Sequence, residues 1–207
     1  GVPSPASGAR LAAFGLTEAN AGSDAGATRT RAELRDEQWH VDGSKIFITN
    51  AGTDITACVT ITALTADDEI SNVIVPNGTP GYDISAPMKK LGWHASDTRD
   101  LSFKDCAVPE GNLLGPRGQG FNQFMQILDG GRTSVAAMGV VLAQGAYAPT
   151  FAYPEPRAQL GRATRRFQQR QFSRAAQPTS TRAGRPPAPP TAVATGQAND
   201  CRPPPPP

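Results

Sequence analysis

The sequence predicts a small all-β barrel or sandwich that is followed by helices. From Leu11 to Val108, runs rich in β-branched and aromatic residues alternate with Gly, Pro, Asn and Asp, as strands alternate with turns. After Gly120, apolar residues recur at spacings of three and four, which is the period of a helix. From Ser173 onward, the chain has ten Pro and no aromatic residue, Leu, Ile or Met. Such a segment buries too little apolar surface to become ordered.

The strand-like part contains eight short runs at near-regular spacing. In the run from Ile55 to Leu64, apolar residues at odd positions alternate with mostly polar residues, as expected of a strand with one buried face. The predicted strands are Leu11–Leu16, Thr28–Leu34, Gln38–Val41, Lys45–Thr49, Ile55–Leu64, Ile70–Val75, Tyr82–Ser85 and Leu101–Val108.

The helical period continues from Phe121 to Leu142, and two features weaken it. Gly130 and Gly131 each disfavour a helix by roughly 1 kcal/mol relative to Ala. Proline in a helix interior removes an amide donor and disfavours the helix by about 3 kcal/mol. We therefore expect the helix to be damaged after Ala146 by Pro149, Pro154 and Pro156.

The net charge of +2 conceals two regions of opposite sign. Residues 157–207 contain nine Arg and one acidic residue, a net charge of +8, whereas residues 1–156 have a net charge of −6. The body is therefore typical of a mildly acidic cytoplasmic domain. No apolar run approaches the roughly 20 residues of a membrane span, and no signal peptide is visible.

Cysteines and histidines do not indicate a metal site or a disulfide framework. Cys58, Cys106 and Cys201 are scattered and odd in number, which favours free thiols in a reducing compartment. His40 and His94 lack ligand-like spacing to other metal-binding residues, and we interpret them as surface or core histidines.

The most specific motif lies at residues 15–27, which read GLTEANAGSDAGA. An apolar run ends in Thr17 and Glu18, and Gly22, Ser23 and Asp24 follow. This arrangement is typical of a strand that leads into a loop of backbone N–H groups and hydroxyls. Such a loop binds phosphate or a polar heterocycle.

The motif resembles the signature of the acyl-CoA dehydrogenase family, and every fixed position of that signature is filled. Further segments resemble the same family in the same order, over roughly residues 1–172. They are Asp42–Asn50, Thr79–Gly81, Lys90–Thr98, Phe103–Pro109, Leu114–Phe121 and Ile127–Arg132.

The resemblance implies a fragment made of four parts. Residues 1–9 correspond to the end of an N-terminal helical domain or its linker, and residues 10–112 to a small antiparallel β-barrel, the middle domain. Residues 113–172 correspond to a truncated start of the C-terminal helical domain. Residues 173–207 are expected to be a disordered Pro/Arg-rich tail, which is either genuine or the product of out-of-frame translation.

The family's chemistry implies the cofactor, the substrate and the partners. A carboxylate removes the α-proton of an acyl-CoA thioester, and the β-hydrogen leaves as a hydride to N5 of FAD. The resemblance further implies a role in fatty acid β-oxidation, an electron-transfer flavoprotein or similar acceptor, a homodimer or homotetramer when intact, and a cytoplasmic location. No nucleic-acid partner is expected.

The resemblance also assigns site residues. Thr17 is expected to hydrogen-bond the flavin pyrimidine edge, Phe47 to pack on the ring and Thr49 to reach toward N5. The expected cofactor-binding residues are Phe14, Leu16, Thr17, Gly22, Ser23, Phe47, Ile48, Thr49 and Arg157. The expected substrate-binding residues are Ser23, Asp129, Gly130, Gly131 and Arg132.

Three simpler interpretations stay open for these residues. Thr17 and Ser23 are alternatively loop-capping residues. Phe47 is alternatively plain barrel core. Asp129 and Arg132 alternatively form a surface ion pair at i,i+3 spacing.

No general base is predicted in this chain. Most members carry a catalytic Glu far downstream, and a minority carry it at the position that Gly131 occupies here. We therefore expect the fragment alone to be inactive. The alternative function is a non-catalytic flavin- or CoA-binding module with a basic interaction tail. A third possibility, a flavin monooxygenase or nitroalkane oxidase relative, is disfavoured because it has no CoA for Asp129 and Arg132 to bind.

Overall fold

A computed structural model of the chain describes residues 3–153 and 156–183. The chain divides into two compact units, residues 1–125 and residues 126–207, and each is described by itself. The strands are β1 Leu11–Gly15, β2 Arg31–Arg35, β3 Gln38–Thr49, β4 Thr56–Ala66, β5 Glu69–Pro76, β6 Tyr82–Ile84, β7 Thr98–Pro109, β8 Ala158–Gln159 and β9 Arg162–Ala163. The helices are α1 Pro3–Ala6, α2 Gly120–Ala152 and α3 Gln168–Ala183, with 3₁₀ turns at Glu110–Asn112 and Thr164–Arg166.

The first unit contains a seven-stranded sheet in the order β1-β4-β2-β3-β7-β6, with β5 also paired to β4. Strand β5 runs antiparallel along one edge of β4. Strands β1 and β2 follow one another along the other edge, both parallel to β4. The result is a mixed, curled sheet that forms a half-barrel.

The prediction of an all-antiparallel sheet is therefore wrong, and the closed barrel is not confirmed. Hydrophobic alternation identifies the buried face of a strand but contains no information about the direction of its partner. Here the long segment between β1 and β2 lets both strands lie parallel to β4.

Strand β3 joins two runs that the sequence analysis separates. Its pairing with β7 contains two register shifts, one between Val41 and Gly43 and one between Lys45 and Ile48. Gly43 has a φ of +146°, and a Cβ at this position would lie 2.6 Å from Thr30 Oγ1. A glycine here therefore lets β3 continue past the first shift.

The core of the first unit is rich in β-branched residues, above all Val. Full burial of each such side chain contributes roughly 1.5–3 kcal/mol to stability. The fully buried large side chains of the sheet are Trp39, Val41, Lys45, Val59, Ile61, Asn72, Val73, Val75, Leu101 and Val108. Lys45 and Asn72 are the polar members of this set.

The segment that leads into α2 is fixed on strand β5. Leu114 donates its N–H to the Asn72 carbonyl at 2.8 Å, and Gly118 donates to Ser71 Oγ at 2.9 Å. The Asn72 side-chain amide donates to Gln123 Oε1 at 2.6 Å. Strand β5 therefore determines where the first turn of α2 begins.

Helix α2 continues to Ala152 with Pro149 inside it, so the prediction that the helix is damaged after Ala146 is wrong over this stretch. Pro149 lies close to the end of the helix. The Thr150 hydroxyl donates to the Ala146 carbonyl at 2.8 Å, and Tyr153 N–H donates to the Pro149 carbonyl at 3.0 Å. These bonds limit the effect of the missing proline donor. Pro154 lies outside the described residues.

Helix α3 contradicts the prediction that disorder begins at residue 173. The helix continues through Ser173 to Ala183 and contains Pro178. Its residues are mostly Gln, Arg and Ala, which favour a helix without burying apolar surface. A lack of apolar residues to bury therefore does not by itself predict disorder here. The rest of the predicted tail, residues 184–207, lies outside the described residues.

Between the two helices, β8 and β9 form a hairpin whose turn residues Leu160 and Gly161 both have positive φ. Across the described ranges 3–153 and 156–183, no helix is both long enough and apolar enough to cross a membrane.

Candidate functional site

The loop after β1 closes on itself at Glu18. Glu18 and Ala21 exchange backbone hydrogen bonds of 3.0 and 3.1 Å. The carboxylate of Glu18 turns inward, with 7% of the residue exposed. It accepts the Arg29 N–H at 2.8 Å and the Thr30 N–H at 3.1 Å, and the Thr28 hydroxyl also donates to it. Glu18 thus ties both ends of the loop together.

Lys45 of β3 is the fully buried partner of Glu18. Its Nζ lies 2.8 Å from Glu18 Oε1, and it also donates to the Leu16 carbonyl at 3.2 Å. The hydroxyls of Thr28 and Thr62 accept from the same ammonium at 3.0 and 2.9 Å. The ammonium is therefore fully hydrogen-bonded, as a buried charge requires.

The environment keeps this pair ionised at neutral pH. Burial would raise the pKa of Glu18, but hydrogen bonds from Lys45 and Thr28, together with the positive charge of Lys45, lower the pKa to about 2. Burial lowers the pKa of Lys45 to about 8, against the opposing effect of the bond with Glu18. A carboxylate with so low a pKa, already paired, is a poor general base.

Strand β3 bulges directly after Lys45. Ile46 donates its N–H to the Thr17 carbonyl at 2.9 Å, and the pairing with β7 skips from Lys45 to Ile48. Phe47 has a φ of +59° and is 62% exposed. The bulge therefore displays an aromatic ring beside the loop.

The two residues after Phe47 differ in how far their side chains are exposed to solvent. Thr49 is exposed, whereas Ile48 is 2% exposed and packs in the core. The side chain of Ile48 is thus closed to a ligand, which leaves only its backbone for the expected cofactor contact. The exposure of Phe47 is not that of a core residue, so the simpler interpretation of Phe47 as barrel core is wrong.

Three hydroxyls of the predicted site have no partner in the described part of the chain. They belong to Thr17, Ser23 and Thr49, and Thr17 is half-buried while the other two are exposed. Gly22 is exposed, and a Cβ built on it would meet nothing within 4 Å. Nothing in the described fold occupies these hydroxyls or requires glycine at position 22.

The turn after Thr49 is held by a second ion pair. Arg99 Nε donates to Asp97 Oδ1 at 2.7 Å, and the guanidinium also donates to the carbonyls of Ser85 and Gly52 at 2.9 and 3.1 Å. Asp97 Oδ2 accepts the Gly52 N–H at 3.0 Å. These bonds fix the end of β3 and therefore the position of Thr49.

Phe14 lies against the start of α2. Its ring stacks on Phe124 with centroids 4.0 Å apart and an angle of 18°. Phe124 is fully buried, whereas Phe14 is half-buried. One part of Phe14 therefore remains accessible while the stack fixes its ring.

The other predicted residues belong to the second unit. Asp129 and Arg132 form the i,i+3 ion pair at 3.9 Å, and the Arg132 side chain is 78% exposed. Gly130 and Gly131 are exposed on the same helix. The guanidinium of Arg157 lies 5.6 Å from the Tyr153 ring centroid. The Ile46–Thr17 bond brings Leu16 and Thr17 beside Phe47 in the first unit.

Lys45 and its contacts are the part of the site that the sequence analysis missed. On β3 the buried positions include Trp39, Val41 and Lys45, so the lysine occupies a position where the pattern calls for an apolar residue. A cation at a buried strand position, with an acidic residue in the neighbouring motif, is the signal that could have identified the pair.

Within the described ranges, no group of three or more His, Cys, Asp or Glu is arranged to hold a metal. Cys58 and Cys106 are buried free thiols, and burial raises the pKa of each. His40 Nδ1 lies 2.7 Å from Asp105 Oδ1. Cys201 lies outside the described residues.

Comparison with known proteins decides the family. The sequence model of the "Acyl-CoA dehydrogenase, middle domain" matches residues 13–106, and that of the "Acyl-CoA dehydrogenase, C-terminal domain" matches residues 118–186. The chain belongs to the acyl-CoA dehydrogenase family. The family predicted from the motifs is thus confirmed, and the match extends beyond Phe172 into α3.

Individual acyl-CoA dehydrogenases are similar over most of this chain. A Bacillus subtilis protein named "Probable acyl-CoA dehydrogenase YngJ" is 45% identical over 170 residues, which are 81% of this chain and 45% of that protein. The short-chain-specific acyl-CoA dehydrogenase of Clostridium acetobutylicum is 42% identical over 165 residues, 79% of this chain and 44% of that protein. The chain thus spans less than half the length of these relatives.

The solved structure of butyryl-CoA dehydrogenase from Megasphaera elsdenii has the same fold. Its TM-score is 0.87 at 36% identity, covering 93% of this chain and 51% of that one. Acyl-CoA dehydrogenases are FAD-dependent oxidoreductases. A flavin is therefore the ligand that the residues around the bulge have to fit.

Proposed function

We propose that this chain is part of an FAD-dependent acyl-CoA dehydrogenase that introduces an α,β double bond into an acyl-CoA thioester. One observation carries the proposal. The Ile46–Thr17 hydrogen bond places the signature loop beside the bulge that exposes Phe47, so the two segments assigned to the flavin adjoin one another. The chemistry that FAD supplies when bound is acceptance of a hydride from the substrate.

The residues present fit a flavin. The exposed ring of Phe47 offers an apolar face to an aromatic heterocycle. The hydroxyls of Thr17 and Thr49 have no partner in the described fold and are free to bind polar atoms of the ring and near N5. Ser23, next to Gly22, is available to the pyrophosphate and the substrate.

The proposed acyl-CoA contacts lie on α2. Asp129 accepts from an amide of the CoA portion, Arg132 binds its polar atoms, and Gly130 and Gly131 leave room for its approach. Arg157 reaches the FAD of a neighbouring subunit. An electron-transfer flavoprotein accepts the electrons, the intact enzyme is a homodimer or homotetramer, and it acts in the cytoplasm.

The described residues supply no general base for α-proton removal. Glycine at position 131 has no proton acceptor. The carboxylate of Glu18 is buried against Lys45, and its pKa is about 2. We propose that the 207-residue chain holds the flavin side of the site and does not desaturate acyl-CoA by itself.

Substitution at Gly22 tests the flavin assignment. A Cβ at Gly22 meets nothing in the described fold, so Gly22→Ala is expected to leave the melting temperature unchanged and to raise the Kd for FAD about tenfold or more. Gly111→Ala is the matched control, because its Cβ also meets nothing within 4 Å and Gly111 lies away from the loop.

Titration with FAD, followed by quenching of flavin fluorescence, measures both variants. Equal affinity of wild type, Gly22→Ala and Gly111→Ala would remove the loop from the flavin site. Binding of CoA but not FAD would favour the alternative of a CoA-binding module.

A further inference from the structure

The buried ammonium of Lys45 lies beneath the junction of the signature loop and β3. Its Nζ donates to the Leu16 carbonyl at 3.2 Å, and the next residue, Ile46, donates its N–H to the Thr17 carbonyl at 2.9 Å. Consecutive residues of β3 thus hold consecutive carbonyls of the loop.

The same contacts set the bulge. Because the Ile46 N–H is directed to Thr17, the ladder to β7 resumes only at Ile48. Phe47 between them has a φ of +59°, a region that a bulky side chain adopts only when its surroundings impose it. The position of Thr17 and the display of Phe47 are therefore one linked arrangement.

Glu18 completes the arrangement from the other side. Its carboxylate accepts hydrogen bonds from the Lys45 ammonium at 2.8 Å and from the N–H groups of Arg29 and Thr30 at 2.8 and 3.1 Å. A buried ion pair contributes little net stability compared with apolar residues of the same volume. An apolar residue at position 45, however, could not donate to Leu16. The specific effect of the ion pair is therefore to fix the position of the loop relative to β3.

We propose that Lys45 and Glu18 are positioning residues for the flavin, which hold Thr17 in a fixed position relative to Phe47 of the bulge. This inference rests on the proposed function and deepens it. Neither side chain touches the cofactor, since both are buried beneath the loop. They act through the Leu16 carbonyl and the Ile46–Thr17 bond.

The double variant Lys45→Met/Glu18→Gln tests the proposal. It removes both charges together, so that no unpaired charge stays buried, and it keeps the volumes and an acceptor for Arg29 and Thr30. The matched control is Arg117→Met/Glu69→Gln, which removes another ion pair of the first unit that does not touch the loop. Lys45→Leu/Glu18→Gln, which also leaves no charge buried, serves as the second variant if the first double variant does not fold.

Two measurements are made on each protein. Hydrogen–deuterium exchange without cofactor is expected to accelerate at least tenfold at residues 16–18 and 46–48 in the double variant, while the amides of β5 exchange as in wild type. The Kd for FAD is expected to rise at least tenfold, and the visible circular dichroism of bound flavin to change. The control pair is expected to match wild type in both.

The outcomes separate the two proposals. Unchanged exchange around the loop and bulge would overturn the positioning role. Faster exchange with wild-type FAD affinity and spectrum would overturn its relevance to the flavin. Failure of the wild-type chain to bind FAD would overturn the proposed function and this inference with it, whereas equal binding by wild type and the double variant overturns the inference alone.

Discussion

At the scale of single residues, the Glu18 carboxylate and the Lys45 ammonium lie 2.8 Å apart inside the sheet domain. The pKa of Glu18 in the folded chain is about 2, below the ordinary value of 4.5. A lowered pKa means that the folded state favours the ionised carboxylate. Its contribution is therefore present above pH 4.5 and is lost as the pH falls toward 2.

We predict that the stability difference between wild type and Glu18→Gln narrows by about 3 kcal/mol between pH 5 and pH 2. Urea denaturation at a series of pH values measures the difference. If the stability difference between wild type and Glu18→Gln stayed constant from neutral pH down to pH 2, folding would not lower the pKa of Glu18.

The amino-acid sequence predicts only part of this site. Thr17, Phe47 and Thr49 could be assigned from a motif because their neighbours in sequence are diagnostic. The role of Lys45 was not predicted, because it depends on carbonyl and hydroxyl oxygens at positions 16, 28 and 62, far apart in the chain. Whether Phe47 is buried or displayed also depended on a bulge that a period-two pattern does not reveal.

At the scale of elements, the segment from Leu114 to Gly120 is packed against β5 without spare room. A Cβ on Gly120 would lie 2.5 Å from the backbone carbon of Ser71, so the start of α2 would have to move. Side-chain adjustment cannot relieve contact with a backbone atom.

We predict that Gly120→Ala lowers the free energy of unfolding by about 1–3 kcal/mol. Gly111→Ala, whose Cβ meets nothing within 4 Å, is expected to be close to wild type. Chemical denaturation followed by Trp fluorescence is suitable, because Trp39 is fully buried in the same unit. Equal stability of the two variants would mean that the link is not fixed on β5.

Most strands were predicted within a few residues, since β-branched runs and turn residues define them locally. The parallel neighbours of β4 were not, because strand direction is set by contacts between distant segments. Helices α2 and α3 show the opposite error. Pro149 and Pro178 were read as interruptions or signs of disorder, whereas the remaining residues favour a helix strongly enough to contain them.

At the scale of the whole molecule, the residues that we propose for FAD and for CoA lie on different elements of the chain. Most residues proposed to bind FAD lie on β1, in the loop that follows it and on β3, whereas those proposed to bind CoA lie on α2, where residue 131 is glycine. The charge is divided as well, with −6 over residues 1–156 and +8 over residues 157–207.

We predict that the chain saturated with FAD does not reduce the flavin when butyryl-CoA is added without oxygen, because our proposal assigns the α-proton to none of the described side chains. The visible absorbance of oxidised flavin is expected to persist for hours. Dithionite is the control that shows the bound flavin is reducible. Loss of the absorbance with butyryl-CoA alone would reveal a base outside the residues considered and contradict the proposed inactivity.

The Lys45 contacts also mean that the signature loop is not a portable motif. A loop copied by its own residues, 16–24, into another scaffold would lack the partners that shape it, which lie at positions 28–30, 45–46 and 62. A successful transplant also needs a buried lysine on a neighbouring strand and, at the next residue, a backbone N–H that donates to the loop. The short sequence that identifies the family therefore takes its shape from residues on β3 and β4 and from the residues just before β2.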